Sequence, residues 1–266
     1  MKADLEPIIY KEPREDMTII PVFDLHVGSE HFQKDRWEKF IAEVKKDPSI
    51  RLVIGGDMID NGIKSSVTLP YEQTMRPREQ KAYVAATLSE VRDRVLCGIS
   101  GNHENRSVKE VDDNPLYDVF AKLDIEDKYR ENGAFLFLTF GNRENEDGKQ
   151  VQGKDRPFYC ILVHHGAGGG IYIGSQAYKQ ERYGQMVEGL DILITGHTHK
   201  PLTFPAGKLV CDPQNKKVSV KEYRVVTANS WLDYGGYAFR KLLPPTASTM
   251  TEIHLCGTRK QISVTQ

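Results

Sequence analysis

Five short apolar runs in this chain each break off into a cluster of aspartate, histidine, asparagine or glycine. Met17 to Phe23 leads into Asp24-Leu25-His26, and Leu52 to Ile54 leads into Gly56-Asp57-Met58-Ile59-Asp60. Val95 to Ile99 precedes Gly101-Asn102-His103-Glu104, Phe158 to Val163 precedes His164-His165-Gly166, and Leu193-Ile194 precedes Gly196-His197-Thr198-His199. A short apolar run closed by glycine and polar residues reads as a buried strand. Open α/β sheets bind ligands beyond the carboxyl ends of their strands, so five such clusters at equivalent ends are able to converge.

Six of the eight histidines fall inside these clusters; only His31 and His254 lie outside. In Asp24-x-His26 and His197-x-His199, side chains two apart leave an extended strand end on the same side, where each pair reaches one ion or divides between two. Mixed histidine, aspartate and asparagine donors suit manganese, iron or zinc better than calcium. Cysteine is absent from all five clusters, which rules out a structural zinc finger. Each cluster taken singly has an ordinary explanation: an Asx-capped turn for Gly-Asp-x-x-Asp, a helix N-cap for Gly-Asn-His-Glu, a satisfied pair for His-His. Their joint occurrence after five apolar runs is what favours a metal centre.

Between the clusters, Trp37, Phe40, Ile41 and Val44 share one helix face, as do Val84, Leu88 and Val91, and a further helix is expected over Pro115 to Leu123. Alternation of strand and helix favours a parallel sheet covered by helices on both faces. Strands over 134–140 and 158–163 flank a polar connector, 141–156, read as an exposed hairpin loop. A Gly-rich loop at 166–170 leads into a helix around Tyr178 to Val187, and short strands and turns follow from Leu202. Without repeats or linkers, one domain over 1–266 is expected, its motifs within about 17–202. No apolar run approaches the roughly 20 residues of a bilayer crossing. The charged N-terminus lacks a secretory apolar core, and the four scattered cysteines suit reduced thiols, so a cytoplasmic protein with no membrane association is expected. A net charge of −1 gives no global pull toward nucleic acid.

The series Asp-Leu-His, Gly-Asp-Met-Ile-Asp, Gly-Asn-His-Glu, His-His-Gly, Gly-His-Thr-His resembles the calcineurin-like metallophosphoesterase superfamily, and in layout its small bacterial or phage phosphoesterases, nuclease-like members included. The resemblance implies an α/β fold, a two-layer β-sandwich flanked by helices, with a dinuclear metal site at one edge. It assigns Asp24, His26 and His199 to the first metal, Asp57 to both, and Asn102, His197 and His165 (in preference to His164) to the second. His103 takes the position acting on the leaving group and Asp60 that of the carboxylate orienting it. Two divalent ions, manganese first and iron or zinc as alternatives, would carry a bridging hydroxide that attacks phosphorus. The protein-phosphatase branch has a phosphate-gripping arginine where this chain has Asn61. The expected function is therefore a phosphodiesterase or nuclease, with DNA or RNA among candidate substrates. A phosphomonoesterase or a hydrolase of cyclic nucleotides or other small diesters stands as the alternative, and a non-catalytic scaffold comes last. Glu104 and Arg106 are candidates for positioning phosphate, and Tyr172, Tyr178, Lys179, Arg182 and Tyr183 for stacking and charge contacts with nucleotides.

Overall fold

A computed structural model describes residues 5–64, 66, 70–141 and 157–266. The connector read as an exposed hairpin loop therefore lies, from residue 142 to 156, outside the described residues.

The chain enters through β1 (Ile8–Glu12) and β2 (Asp16–Val22), followed by α1 (Lys34–Lys46), β3 (Ile50–Ile54), α2 (Pro77–Ser89) and β4 (Val95–Ile99). Helices α3 (Glu104–Val111) and α4 (Pro115–Lys122) precede β5 (Tyr129–Arg130), β6 (Gly133–Phe140) and β7 (Phe158–His164). Then come α5 (Ile173–Gln185), β8 (Ile192–Thr195), the hairpin β9 (Leu202–Asp212) and β10 (Lys217–Thr227), the short α6 (Gly236–Arg240), β11 (Glu252–Cys256) and β12 (Ile262–Thr265). The strands form two six-stranded sheets, ordered β12-β11-β2-β3-β4-β5 and β1-β6-β7-β8-β10-β9. β2, β3 and β4 run parallel, as do β7, β8 and β10.

Strand periodicity explains the layering. Successive side chains alternate faces, so Met17, Ile19, Val53, Cys97 and Ile99 meet Leu136, Leu138, Ile161, Ile192 and Ile194 between the sheets. The opposite parity of the first sheet, Ile20, Val22, Leu52 and Ile54, packs under Trp37, Phe40, Val84 and Phe120 of α1, α2 and α4. On the second sheet, Cys160, Leu193, Tyr223 and Val225 face Tyr183 and Val187 on the α5 side. The fold is thus an α/β two-layer sandwich flanked by helices. The strand-and-helix alternation alone favoured helices on both faces of one parallel sheet. Here the second sheet covers one of those faces, because β2 to β4 are apolar on both parities and either partner buries them equally well.

Helix α5 begins at Ile173, earlier than the sequence pattern indicates, and β9 is 11 residues rather than a short strand. Among the described residues no helix is long and apolar enough to cross a membrane. The cysteines are unpaired, with Cys97 and Cys160 buried and Cys211 exposed.

Phe23, the residue after β2, is fully buried between the sheets. Its ring occupies the space where a side chain on Gly55 or Gly196 would stand, and His165 stacks beside it at 6.4 Å between ring centroids. Phe23→Ala is expected to cost about 3–5 kcal/mol, read from urea unfolding, whereas Phe158→Ala at a 43% exposed strand position costs much less.

Candidate metal centre

Because β2, β3, β4, β7 and β8 end at one edge of the sandwich, the loops that follow them carry all five polar clusters to the same place. Their backbone is unusual. Among the described residues ten non-glycine residues adopt positive φ, and five of them are Asp24, His26, Asp57, His197 and His199. Such left-handed conformations are uncommon outside glycine and collect at functional sites.

Three groups of side chains gather there with donor atoms within 4.8 Å of one another: Asp24, His26 and His199; His26, Asp60 and His103; Asp57, His165 and His197. In the first, Asp24 Oδ1 lies 3.4 Å from His199 Nε2 and 3.9 Å from His26 Nε2. In the third, His165 Nε2 lies 3.3 Å from Asp57 Oδ2 and 3.1 Å from Asn102 Oδ1. Asp57 Oδ2 also lies 3.9 Å from His26 Nε2, so one carboxylate oxygen faces both groups.

Each key carboxylate is aimed by a neighbouring loop. The His197 backbone N–H donates to Asp24 Oδ2 at 2.7 Å, and the His103 backbone N–H donates to Asp57 Oδ1 at 2.8 Å. That leaves Asp24 Oδ1 and Asp57 Oδ2 turned toward the imidazoles. Asp24 Oδ1 is buried and has no hydrogen-bond partner among the described residues. A buried anionic oxygen of this kind is costly unless a cation meets it, and oxygen and imidazole donors without thiolate suit divalent cations. The residues fit the metal ions that the sequence motifs imply.

His165 Nδ1–H donates to the Gly55 carbonyl at 2.8 Å, which fixes the ring and presents Nε2 to the cluster. His164, one residue earlier, has the opposite strand parity: its Nδ1 accepts the Gly166 N–H at 2.9 Å and its ring lies against Tyr183. Burial alone would lower the pKa of His165, but Asp57 beside it raises it to about 10. Burial in turn would raise Asp57, yet His165, His103 and His26 hold it well below the usual carboxylate range.

The surroundings of Asp60 differ from the sequence reading. Its Oδ1 lies 3.2 Å from His26 Nδ1 and 3.5 Å from His103 Nδ1, whereas its backbone carbonyl accepts the His103 Nδ1–H at 2.7 Å. The carboxylate thus sits nearer a cluster histidine, and the main chain orients His103. Glu104 does not face substrate at all. It is fully buried, and its two oxygens accept the backbone N–H groups of Asp57, Met58, Ile59 and Gly101 at 2.7–3.3 Å, tying two cluster loops together. Asn61 is equally buried, with Nδ2 donating to the His103 carbonyl and to Ser107 Oγ. Arg106, three residues after His103 on α3, brings Nη2 within 2.9 Å of His103 Nε2.

A cavity of about 460 Å³ opens over the cluster, and His26, Asp57, His103, His197 and His199 lie on its floor. Its walls include Arg106, Gly170, Ile171 and Lys200, together with several residues from the stretch 230–246, such as Leu232, Tyr234 and Leu243, in which the sequence shows no motif. Of the proposed nucleotide contacts, Tyr172 and Tyr178 are each 78% exposed, whereas Tyr183 packs against the second sheet and Lys179 bonds the Gly169 carbonyl.

Two sets of oxygen and imidazole donors, with Asp57 facing both, thus stand at one edge of an α/β sandwich. The profile of the calcineurin-like phosphoesterases matches residues 17–201, and the chain belongs to that family. The DNA polymerase II small subunit of Thermoplasma acidophilum is 27% identical over 166 residues, 60% of this chain and 30% of that protein. The match thus spans less than a third of that relative's length. Among solved structures, the NAD nucleotidase of Haemophilus influenzae aligns with 94% of this chain and 49% of its own at 11% identity, with a TM-score of 0.38.

Two outcomes test the centre. Glu104→Gln, which turns an amide N–H₂ toward buried N–H donors, is expected to weaken manganese binding about 10–100-fold and to lower the melting temperature, as read by calorimetric titration and thermal unfolding. Because Asp57 keeps His165 protonated up to pH about 10 in the ion-free protein, manganese uptake at pH 7 must release that proton. Affinity therefore rises with pH, and proton release measured by pH-stat follows metal added.

Proposed function

We infer that this chain hydrolyses phosphodiesters at a pair of divalent cations, manganese in the first instance. Asp24, His26 and His199 would hold one ion, Asn102, His165 and His197 the other, and Asp57 both. The observation that supports this reading most directly is the position of Asp57 Oδ2, between His26 Nε2 at 3.9 Å and His165 Nε2 at 3.3 Å. Such ions supply Lewis acidity toward phosphoryl oxygens and make water acidic enough to serve as nucleophile near neutral pH.

The protein's own groups do the rest. Burial outweighs the pull of Asp57 and lowers the pKa of His103 to about 4. With Nδ1–H committed to the Asp60 carbonyl, Nε2 carries a lone pair that accepts from the Arg106 guanidinium. The two act as one unit: His103 anchors Arg106, and the guanidinium donates to the charge growing on the departing oxygen. Asp60 supports the ring of His26, and through its carbonyl that of His103.

A diester rather than a monoester is favoured by Asn61, which stands where the protein-phosphatase branch has its phosphate-gripping arginine: it is buried and its Nδ2 is committed to the His103 carbonyl and Ser107 Oγ. A nucleic-acid substrate is a second reading, supported by the polymerase-subunit relative and by exposed Tyr172 beside the cavity-lining Ile171. The strap at 230–246 walls the same cavity as the motif residues, which supports residues 1–266 acting as one domain.

With manganese added, kcat/KM for bis-p-nitrophenyl phosphate is expected to exceed that for p-nitrophenyl phosphate by about tenfold or more. The reverse order would give the monoesterase, and no turnover of either would leave a scaffold. His103→Ala should lose about 10²–10³ in kcat while keeping its metal. Adding Arg106→Ala to it should cost little more, since groups acting as a unit are not additive.

A further inference from the structure

The stretch after β10 is held in place at both ends. At its start, Trp231 is fully buried beside Trp37 and Phe40, and its backbone N–H donates to the carbonyl of Asp24 at 3.1 Å. Leu232 bridges to Phe32, the Asp233 N–H donates to the His31 carbonyl at 2.8 Å, and Asp233 Oδ1 accepts from Gln33 Nε2 at 2.7 Å. At its end, Arg36 Nη2 donates to the Ser248 carbonyl at 2.9 Å. Between these anchors the chain arches over the metal cluster. Arg240 pairs with Glu72 at 3.2 Å on the loop opposite, and Tyr234 Oη–H donates to the Leu243 carbonyl at 2.8 Å.

This strap gives the cavity two chemically different zones. The floor is imidazole and carboxylate; the strap side presents Leu232, Tyr234, Ala238, Leu243 and Pro244, with Ile171 from the Gly-rich loop. A phosphate on the floor has no use for an apolar wall. The substituent that stays on phosphorus does, and a volume of about 460 Å³ is ample for one ring system with its sugar. Tyr234, still 48% exposed, offers a ring for stacking, which serves any planar base because every base has a π-face.

We propose that the strap at 230–246 forms a subsite for the nucleoside carried by the scissile phosphorus, with Tyr234 stacking on the base and Leu232 and Leu243 packing at its edge. The proposal rests on the phosphodiesterase reading above and adds the substituent that the enzyme selects. The nucleoside can come from a small ester or from the end of a strand; the same face recognises either.

Three manganese-dependent assays test it. Methyl p-nitrophenyl phosphate and thymidine 5′-(p-nitrophenyl phosphate) share a leaving group and differ in the retained substituent; a linear thymidine oligonucleotide holds the same nucleoside in a strand. Wild type should prefer the thymidine ester to the methyl ester by about tenfold. Tyr234→Ala and Leu243→Ser should each remove most of that preference, and Tyr234→Phe should retain it. A fall confined to the ester or to the oligonucleotide supports the subsite and names the source. An equal fall on methyl and thymidine esters, or none on any nucleoside substrate, overturns it. If neither ester is hydrolysed, the hydrolytic reading fails and calorimetry decides the subsite alone. Thymidine 5′-phosphate should then bind about tenfold tighter than inorganic phosphate, with the advantage lost in Tyr234→Ala; equal binding of the two refutes the proposal.

Discussion

The edge that carries the candidate ligands is organised around one benzene ring. Phe23 follows β2 directly and precedes Asp24, and its ring fills the space that the absent side chains of Gly55 and Gly196 leave open. Gly55 lies two residues before Asp57 and Gly196 one before His197, while His165 stacks on the same ring. Strand ends from both sheets thus close on a single apolar wedge, and the loops beyond them start from fixed positions. Interior packing is dense and responds to single methylenes, so a wedge in contact with several loops fixes their spacing more tightly than any of their hydrogen bonds alone.

Electrostatics completes what packing begins. Asp24, Asp57, Asp60 and Glu104 are all buried within one edge, an arrangement that would be unstable if the groups were equivalent. They are not equivalent. Glu104 spends both oxygens on backbone N–H groups and holds two loops together. Asp24 and Asp57 spend one oxygen each on a backbone N–H and turn the other inward. Asp60 lies against His26, which outweighs its burial and brings its pKa down to about 2. The same residue type therefore serves as clamp, candidate ligand or support according to how many of its lone pairs the main chain takes.

The sequence makes one part of this visible and hides another. Strand ends and the polar residues after them follow from local patterning, so the five clusters could be collected from apolar runs; it is the family resemblance that picks Asp24, His26, Asp57, Asn102, His165, His197 and His199 out of them. His165 separates from His164 by strand parity once β7 is seen to bury its odd-numbered residues, Tyr159, Ile161 and Val163, between the sheets. The role of Glu104 could not be read in this way, because beyond the local Gly101 N–H its partners are backbone groups 45 to 47 residues away on another loop. The strap escapes detection for a related reason. Its function comes from lying over a site built by other segments, and nothing in Leu232, Tyr234 or Leu243 themselves marks that position.

The left-handed residues show why these interactions have to act together. Each of Asp24, His26, Asp57, His197 and His199 has φ between 49° and 70°, at a cost of order 1–2 kcal/mol apiece for a residue with a side chain. Aspartate tolerates the region better than most, histidine somewhat. Even so, the sum is a sizeable share of the roughly 5–15 kcal/mol that keeps a domain folded. The strain persists because what the loops gain depends on it. Turning the backbone at Asp24 and at His197 is what lets the His197 N–H reach Asp24 Oδ2, and the turn at Asp57 sets its carboxylate under the His103 N–H. An extended backbone at these positions would relieve the strain, but it would draw the His197 N–H away from Asp24 Oδ2 and Asp57 Oδ1 away from the His103 N–H. The conformation that is locally unfavourable is the one in which the carboxylates are aimed inward, and the Phe23 wedge and the Glu104 clamp are what hold it there.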